Sequence, residues 1–319
     1  VEGVLTGFAV IATVIAIGYL VGRIGLLGPE GPAVLSRVSF FVATPALLFE
    51  TVSRADVATV FSSALLVTLI STTVVAAVFV AVAMLWWRRS APEATIGALA
   101  ASYVNAGNIG IPIAVYVLGD AALVAPVLMF QVVVMAPLAF AVLESSAARY
   151  SSAARESSAA RERRSVVRAA VRPLLNPITV ACGLGVLVSV VGWSPPEPVM
   201  RPVDLVAAMA VPAALLAYGL SLRGAPPPGS GDTAWDVRLA VVLKTLVHPA
   251  VAYLVARFGL GLSAPLVLAC TVTAALPTAQ NVFVYAVRYG RGVVLARDAI
   301  LLSTVTAVPV LIAVALLAG

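Results

Sequence analysis

Charge is scarce in this chain. Asp, Glu, Lys and Arg together make up 11% of the residues, against about a quarter in an average soluble protein, which excludes an ordinary water-soluble domain. Histidine occurs once and cysteine twice, so neither a disulfide framework nor a metal site is in prospect. Cys182 and Cys270 each stand alone in apolar segments and read as small buried hydrophobes. There is no HExxH, no GxSxG elbow and no paired-aspartate arrangement; without a nucleophile beside a placed base, the sequence gives no support to an intramembrane enzyme. Nor does the formal charge of +6 point to nucleic acid. The arginines fall between apolar runs, without interleaved aromatics, and act as topology signals.

What is abundant is apolar surface. Hydrophobic residues account for 61% of the chain and the mean hydropathy is +1.07, the composition of an integral membrane protein with many spans. Windows of about 19 residues predict ten transmembrane helices: Val4–Val21, Ala33–Val52, Ser63–Trp86, Thr95–Leu118, Leu123–Leu143, Leu174–Gly192, Val203–Leu222, Leu239–Ala256, Pro265–Val287 and Ala299–Leu317. The first run has no basic segment ahead of it and no small-residue cleavage site, so it reads as a span rather than a signal peptide. With the N-terminus outside, fifteen arginines fall in cytoplasmic loops against Arg54, Arg201 and Arg257 on the other side. That bias favours an N-out, C-out protein of the cell membrane, with the lipid bilayer as its surroundings.

Residues 145–161, "SSAARYSSAARESSAAR", repeat with a six-residue period. The stretch is too polar to bury, and is expected to be disordered or helical on the membrane surface. It divides the chain into a first five-helix half (1–143), an Arg/Ser/Ala-rich cytoplasmic linker (144–172) and a second half (173–319). Because five is odd, the second half enters the membrane from the opposite side, which makes the halves an inverted repeat of the kind found in secondary transporters.

Helix breakers mark two spans at mid-depth. "VNAGNIGIPI" (104–113) falls in the fourth span and "PTAQN" (277–281) in the ninth. Gly costs about 1 kcal/mol and Pro about 3 kcal/mol relative to Ala inside a helix, and backbone groups freed in hydrocarbon cost several more. Such breaks persist where protein or a polar cavity satisfies the backbone, and paired breaks in corresponding positions of two halves point to a transport site. The candidate substrate-binding residues are therefore Asn105, Asn108, Gly110, Pro112, Pro277, Thr278, Gln280 and Asn281. The second half of a broken helix presents free amides and a positive partial charge, so the expected ligand is a small organic anion. Amide side chains add hydrogen-bond donors, and Gly110 and Pro112 let carboxylate oxygens approach the backbone.

Glu50, Glu144, Asp204 and Asp298 all fall near helix ends, which disfavours an antiporter built around a central carboxylate. Coupling to sodium or a proton through unwound carbonyls stays open, and no cofactor is called for. Lys244 and His248, four residues apart on one face of the eighth helix, have two readings. They are either accessory to the site, as a cationic attractor or a proton-sensitive element, or structural, with Lys244 snorkelling to the cytoplasmic interface and His248 hydrogen-bonded to a neighbouring helix.

The fourth-span "NAGNIGIPIAVYVLG", the ninth-span "AALPTAQNVFVYAVRYG", the tenth-span "STVTAVPVL" and the second-span "TPALLFETVS" resemble the auxin efflux carrier family of membrane transporters. That family includes plant auxin carriers and bacterial carriers of malonate and related carboxylates. The resemblance implies an all-α fold of two inverted five-helix repeats, similar to bile-acid symporters and sodium/proton antiporters, with helices four and nine crossing at unwound centres. It also implies a scaffold of helices one, two, six and seven beside a mobile transport unit, and a homodimer. The function expected is alternating-access transport of a mono- or dicarboxylate; a channel-like pore and a non-transporting receptor of the same fold are the alternatives.

Overall fold

The computed structural model describes residues 2–54, 62–153 and 176–318, and every regular element among them is helical. In chain order these are α1 (Glu2–Ile24), α2 (Gly31–Ser53), α3 (Ser63–Trp86), α4 (Ala91–Ser102), α5 (106–118), α6 (121–153), α7 (Pro177–Val191), α8 (Glu197–Ser221), α9 (Gly231–Gly259), α10 (Ala264–Ala275), α11 (Asn281–Tyr289) and α12 (Val293–Ala318). Six of them, α2, α3, α6, α8, α9 and α12, hold stretches long and apolar enough to cross a membrane. The protein is a multi-pass membrane protein. Helices α1 and α7 correspond to the first and sixth expected spans, while the fourth and ninth are each divided into two shorter helices. Of the SSAAR stretch, residues up to Ala153 continue α6 as helix; the remainder lies outside the described residues.

Apolar side chains cover the outside of the bundle as well as its core. Leu85, Leu205 and Phe258 are largely exposed, the arrangement expected where the surroundings are hydrocarbon. Trp86, Trp193 and Trp235 are exposed at helix ends, the level at which indole rings meet lipid headgroups.

Small residues let the helices touch. Helix α1 packs on α8, and α2 packs on α7 and α8. A Cβ added to Gly18 would lie 2.7 Å from the Leu216 carbonyl oxygen, and one on Gly219 would overlap the carbonyl of Ile15; the two backbones meet directly there, as small residues allow in membranes. In the same way the Phe79 ring of α3 occupies the space over Gly97 of α4.

Loop residues join helix ends. Ser90 and Glu93 close a capping box on α4, satisfying amides that the first turn leaves without partners. Arg89 grips Asp236 at the start of α9 with two bonds, Nε to Oδ1 at 3.1 Å and Nη2 to Oδ2 at 2.7 Å, and also reaches the Asp232 carbonyl. That paired geometry is the strong form of an arginine–carboxylate contact.

Candidate functional site

The fourth-span break falls at Tyr103–Asn105. Helix α4 ends at Ser102, Tyr103 is extended, and Asn105 takes a non-helical conformation (φ −77°, ψ 64°) from which α5 starts. Asparagine suits this position because its side chain caps the new helix: Oδ1 accepts from the Asn108 amide at 3.4 Å. The first turn of α5 is wide, with the Gly110 amide reaching back to the Asn105 carbonyl at 3.0 Å, a geometry that recurs at functional sites.

The ninth-span break covers Leu276–Gln280. Leu276 precedes Pro277 and is extended (φ −57°, ψ 145°), as the ring of a following proline demands.

Each break satisfies the other. Val104 and Thr278 form an antiparallel bridge, with the Asn105 amide donating to the Pro277 carbonyl at 2.8 Å and the Ala279 amide to the Tyr103 carbonyl at 3.1 Å. The Thr278 hydroxyl caps the Ala100 carbonyl near the end of α4 at 2.6 Å, and its amide donates to Ser303 Oγ on α12 at 3.1 Å. This accounts for backbone groups that hydrocarbon could not solvate.

Against this crossing lies a cavity of about 190 Å³. Asn105, Gly107, Asn108, Gln280 and Asn281 line it from the breaks, with Thr51 of α2, Gln131 of α6 and Val211 of α8 completing the wall. Gln280 Oε1 accepts from Asn105 Nδ2 at 3.1 Å and from Asn108 Nδ2 at 3.5 Å. Its own Nε2 has no hydrogen-bond partner among the described residues, and neither has Nε2 of Gln131. Both side chains are buried, 2% and 3% exposed. A buried donor left unmatched costs about 1–3 kcal/mol, so two on one cavity wall form an environment in which an acceptor such as a carboxylate would be stabilised. The N-terminal ends of α5 and α11 border the same cavity and contribute positive partial charge.

Of the residues singled out in the sequence, Asn105, Asn108, Gln280 and Asn281 meet on this cavity. Pro277 and Thr278 carry the backbone crossing instead. Gly110 lies within α5, where an added Cβ would come 2.9 Å from Leu276 Cδ1, and Pro112 stands in the helical run after the wide turn. Lys244 and His248 form a separate buried cluster. Lys244 is 0% exposed, which corrects the snorkelling alternative; its amine turns inward because the Ala274 carbonyl, freed by the ninth-span break, receives it at 2.8 Å. Gln131 was missed. Its signal was present in the sequence, as the one amide inside the apolar run "VLMFQVVVM" (127–135).

The carboxylates near helix ends are held by local partners. Glu144 Oε1 accepts from Asn176 and from the Tyr289 hydroxyl, while Glu50 and Asp204 both bind Arg54. Asp298 pairs with Arg297 and accepts from the Gly229 amide. Among the described residues no cluster of three or more His, Cys, Asp or Glu could hold a metal ion.

The sequence is 29% identical over 297 residues to a protein of Rhizobium meliloti named "Putative malonate transporter", an alignment spanning 92% of this chain and 89% of that one. A second relative, an "Uncharacterized transporter" of Methanothermobacter thermautotrophicus, is 30% identical over 117 residues, 36% of this chain and 38% of its own. A family model described as "Membrane transport protein" matches residues 4–314, a span that includes both helix breaks and all the cavity residues named above. The chain belongs to this membrane transport protein family, that of the auxin efflux carriers.

Proposed function

We propose that this protein is a secondary transporter that moves a small carboxylate, malonate or a close analogue, across the cell membrane by alternating access. The observation that carries the reading is the pair of unmatched amide donors, Gln280 Nε2 and Gln131 Nε2, on the cavity where two helix breaks meet. Uncharged donors and helix N-termini can bind a carboxylate and release it again, which a fixed buried arginine would oppose. The name of the Rhizobium meliloti relative supports malonate as the first substrate to try.

The contacts support ten spans in two inverted halves, 1–143 and 173–319. Exchanging the halves turns the packing of α1 on α8 into that of α7 on α2, and the packing of α3 on α4 into that of α9 on α10; all four contacts occur. Hydrogen bonds also join ends that strict alternation places on one membrane face. Arg54 meets Asp204, Arg223 reaches the Gly22 carbonyl, and Arg89 meets Asp236. With the N-terminus outside, the cavity residues of α2 and α6 lie toward the outer side. On the inner side Phe40, Phe140, Tyr285 and Tyr289 pack edge-on or stacked, Arg288 covers Phe41 and Tyr289, and Glu144, Asn176 and Tyr289 are hydrogen-bonded together. A site open on one side and packed shut on the other is what alternating access requires of any one state.

Purified protein in liposomes loaded with unlabelled malonate should take up labelled malonate saturably, and faster than liposomes without an internal load. Non-saturating, ohmic malonate current would establish a pore in place of a carrier, and binding without flux would establish a receptor.

A further inference from the structure

Lys244 and His248 lie on α9 where the helix widens over Leu243–Val247, next to Pro249, and both are buried. The widening rotates the lysine inward ahead of a proline that interrupts the helical hydrogen bonds. Lys244 Nζ donates to the Ala274 carbonyl at 2.8 Å and lies 3.0 Å from His248 Nδ1. His248 Nε2 lies 3.4 Å from Thr72 Oγ1 on α3. In an unbroken helix the Ala274 carbonyl would be taken by the Thr278 amide, but that amide donates to Ser303 instead. The amine therefore stands at the negative end of α10, where a cation is favoured.

Among the described residues Lys244 forms no ion pair. Titratable and charged groups on α9 and the helices packed against it have other engagements. Glu93 of α4 is bonded to Ser90, Asp236 of α9 to Arg89, and Arg297 to Asp298 on α12. Arg238 lies over Trp235, Tyr253 against Phe258, Asp232 is exposed at the start of α9, and Arg257 stands at its far end. Cys270 of α10 is buried as a thiol in an apolar cluster, and α3 carries no ionisable residue. The amine and the imidazole thus have each other, a carbonyl and a hydroxyl.

An amine and an imidazole about 3 Å apart hold one proton between them, mainly on the more basic amine, with the imidazole nitrogen accepting the hydrogen bond. A second proton would put two unit charges about 3 Å apart away from water, where their repulsion is strong. The two therefore titrate as one unit, between a neutral and a singly charged state.

We propose that Lys244 and His248 form a proton-binding site that serves the transport cycle. The neutral pair takes one proton from the aqueous phase as the carboxylate enters the cavity, forming one N–H bond and one positive charge, and returns that proton to water on the other side when the carboxylate leaves. The two charges then sit at opposite ends of the same break, the proton by Ala274 and the anion by Gln280 and Asn281. With a cation supplied by the chain itself at the carbonyl end of α10, sodium has no place there. The inference rests on the carboxylate reading above.

Liposomes carrying wild-type protein, Lys244→Met or His248→Gln are compared for labelled-malonate exchange and for net uptake driven by an imposed gradient. With the membrane potential held at zero, one proton per anion gives about tenfold accumulation for one unit of pH difference. Wild type is expected to show this without sodium, and both variants to keep exchange while losing the pH-driven accumulation. Unchanged pH-driven accumulation in the variants, or sodium-driven accumulation in the wild type, would overturn the proposal. Absence of exchange in the wild type would instead defeat the carboxylate reading, and a measurement without substrate then decides the proton site. His248 is the chain's single histidine, so ¹⁵N-histidine labelling reports it alone. The Nδ1 resonance should show an accepted hydrogen bond that is lost in Lys244→Met; an identical resonance in the two proteins would overturn the pair.

Discussion

Replacing Gln280 by leucine removes two roles that meet in one side chain. Gln280 lines the cavity and its Nε2 is a buried donor without a partner among the described residues; a hydrogen bond to a charged group contributes about 1.5–3 kcal/mol. At 1.36 kcal/mol per tenfold change, losing that bond raises the apparent KM for malonate roughly 10- to 150-fold. Its Oε1 accepts from Asn105 and Asn108, and stranding those amides costs about 1–3 kcal/mol of stability, so leucine should also lower the melting temperature. Gln280→Glu keeps an acceptor oxygen for the two asparagines but turns the donor into a second acceptor beside an incoming anion. Gln280 is 2% exposed, so the buried carboxylate should lower the melting temperature at neutral pH, and the variant should transport no malonate. The assay is initial uptake against malonate concentration in liposomes, with thermal melting of the same preparations in detergent. Unchanged KM in Gln280→Leu would refute the assignment of Nε2 to the substrate, whatever the melting temperature did.

The other predictions are smaller in scope. Asn105→Ala and Asn281→Ala should each abolish most malonate flux while leaving expression intact; for Asn105 the lost cap should appear as about 1 kcal/mol in thermal melting. Gly219→Ala places a Cβ against the Ile15 carbonyl, a clash between backbones that should destabilise the α1–α8 contact by about 1–3 kcal/mol or more, read as a lower melting temperature and reduced yield of folded protein. The Ser90 hydroxyl holds the Glu93 carboxyl below its ordinary range, so the box contributes stability above that range and loses it as pH falls through the lowered value. Ser90→Ala should cost about 1 kcal/mol at neutral pH and flatten the acid side of the melting-temperature profile, and a profile as steep as wild type would show the box to be inert.

The six long apolar helices were legible because an apolar run of membrane length is seldom compatible with anything but a membrane helix, and "NAGNIGIP" and "PTAQN" were legible because breakers inside an apolar run are costly. The positions of the breaks were less so. Sequence reading spread the first over 104–113, yet the chain leaves the helix at Tyr103 and re-enters through Asn105, with Pro112 already inside the new helix. Asparagine's ability to cap outweighed proline's inability to donate. Thr278 looked like a ligand-binding hydroxyl; its bond to the Ala100 carbonyl became visible only once the partner helix was in place. Gln131 and Lys244 illustrate the same limit. A side chain's direction on a helix depends on the rotation that packing selects, and for Lys244 on a widened turn that no local pattern announced.

The ends of the four half-helices divide the labour electrostatically. Both N-terminal ends, at Asn105–Asn108 and at Gln280–Asn281, border the cavity. The carbonyl ends are engaged by the chain: the Thr278 hydroxyl bonds the Ala100 carbonyl of α4 and the Lys244 amine bonds the Ala274 carbonyl of α10. On the proposed reading this asymmetry selects anions. Cavity amides and positive helix ends favour a carboxylate, while the Ala100 and Ala274 carbonyls already accept from donors of the chain. It also explains why the two halves, alike in plan, differ in this one respect. A hydroxyl cap carries no charge to exchange with water, whereas an amine paired with an imidazole does, so only the ninth-span break is equipped to link the anion's movement to a proton's.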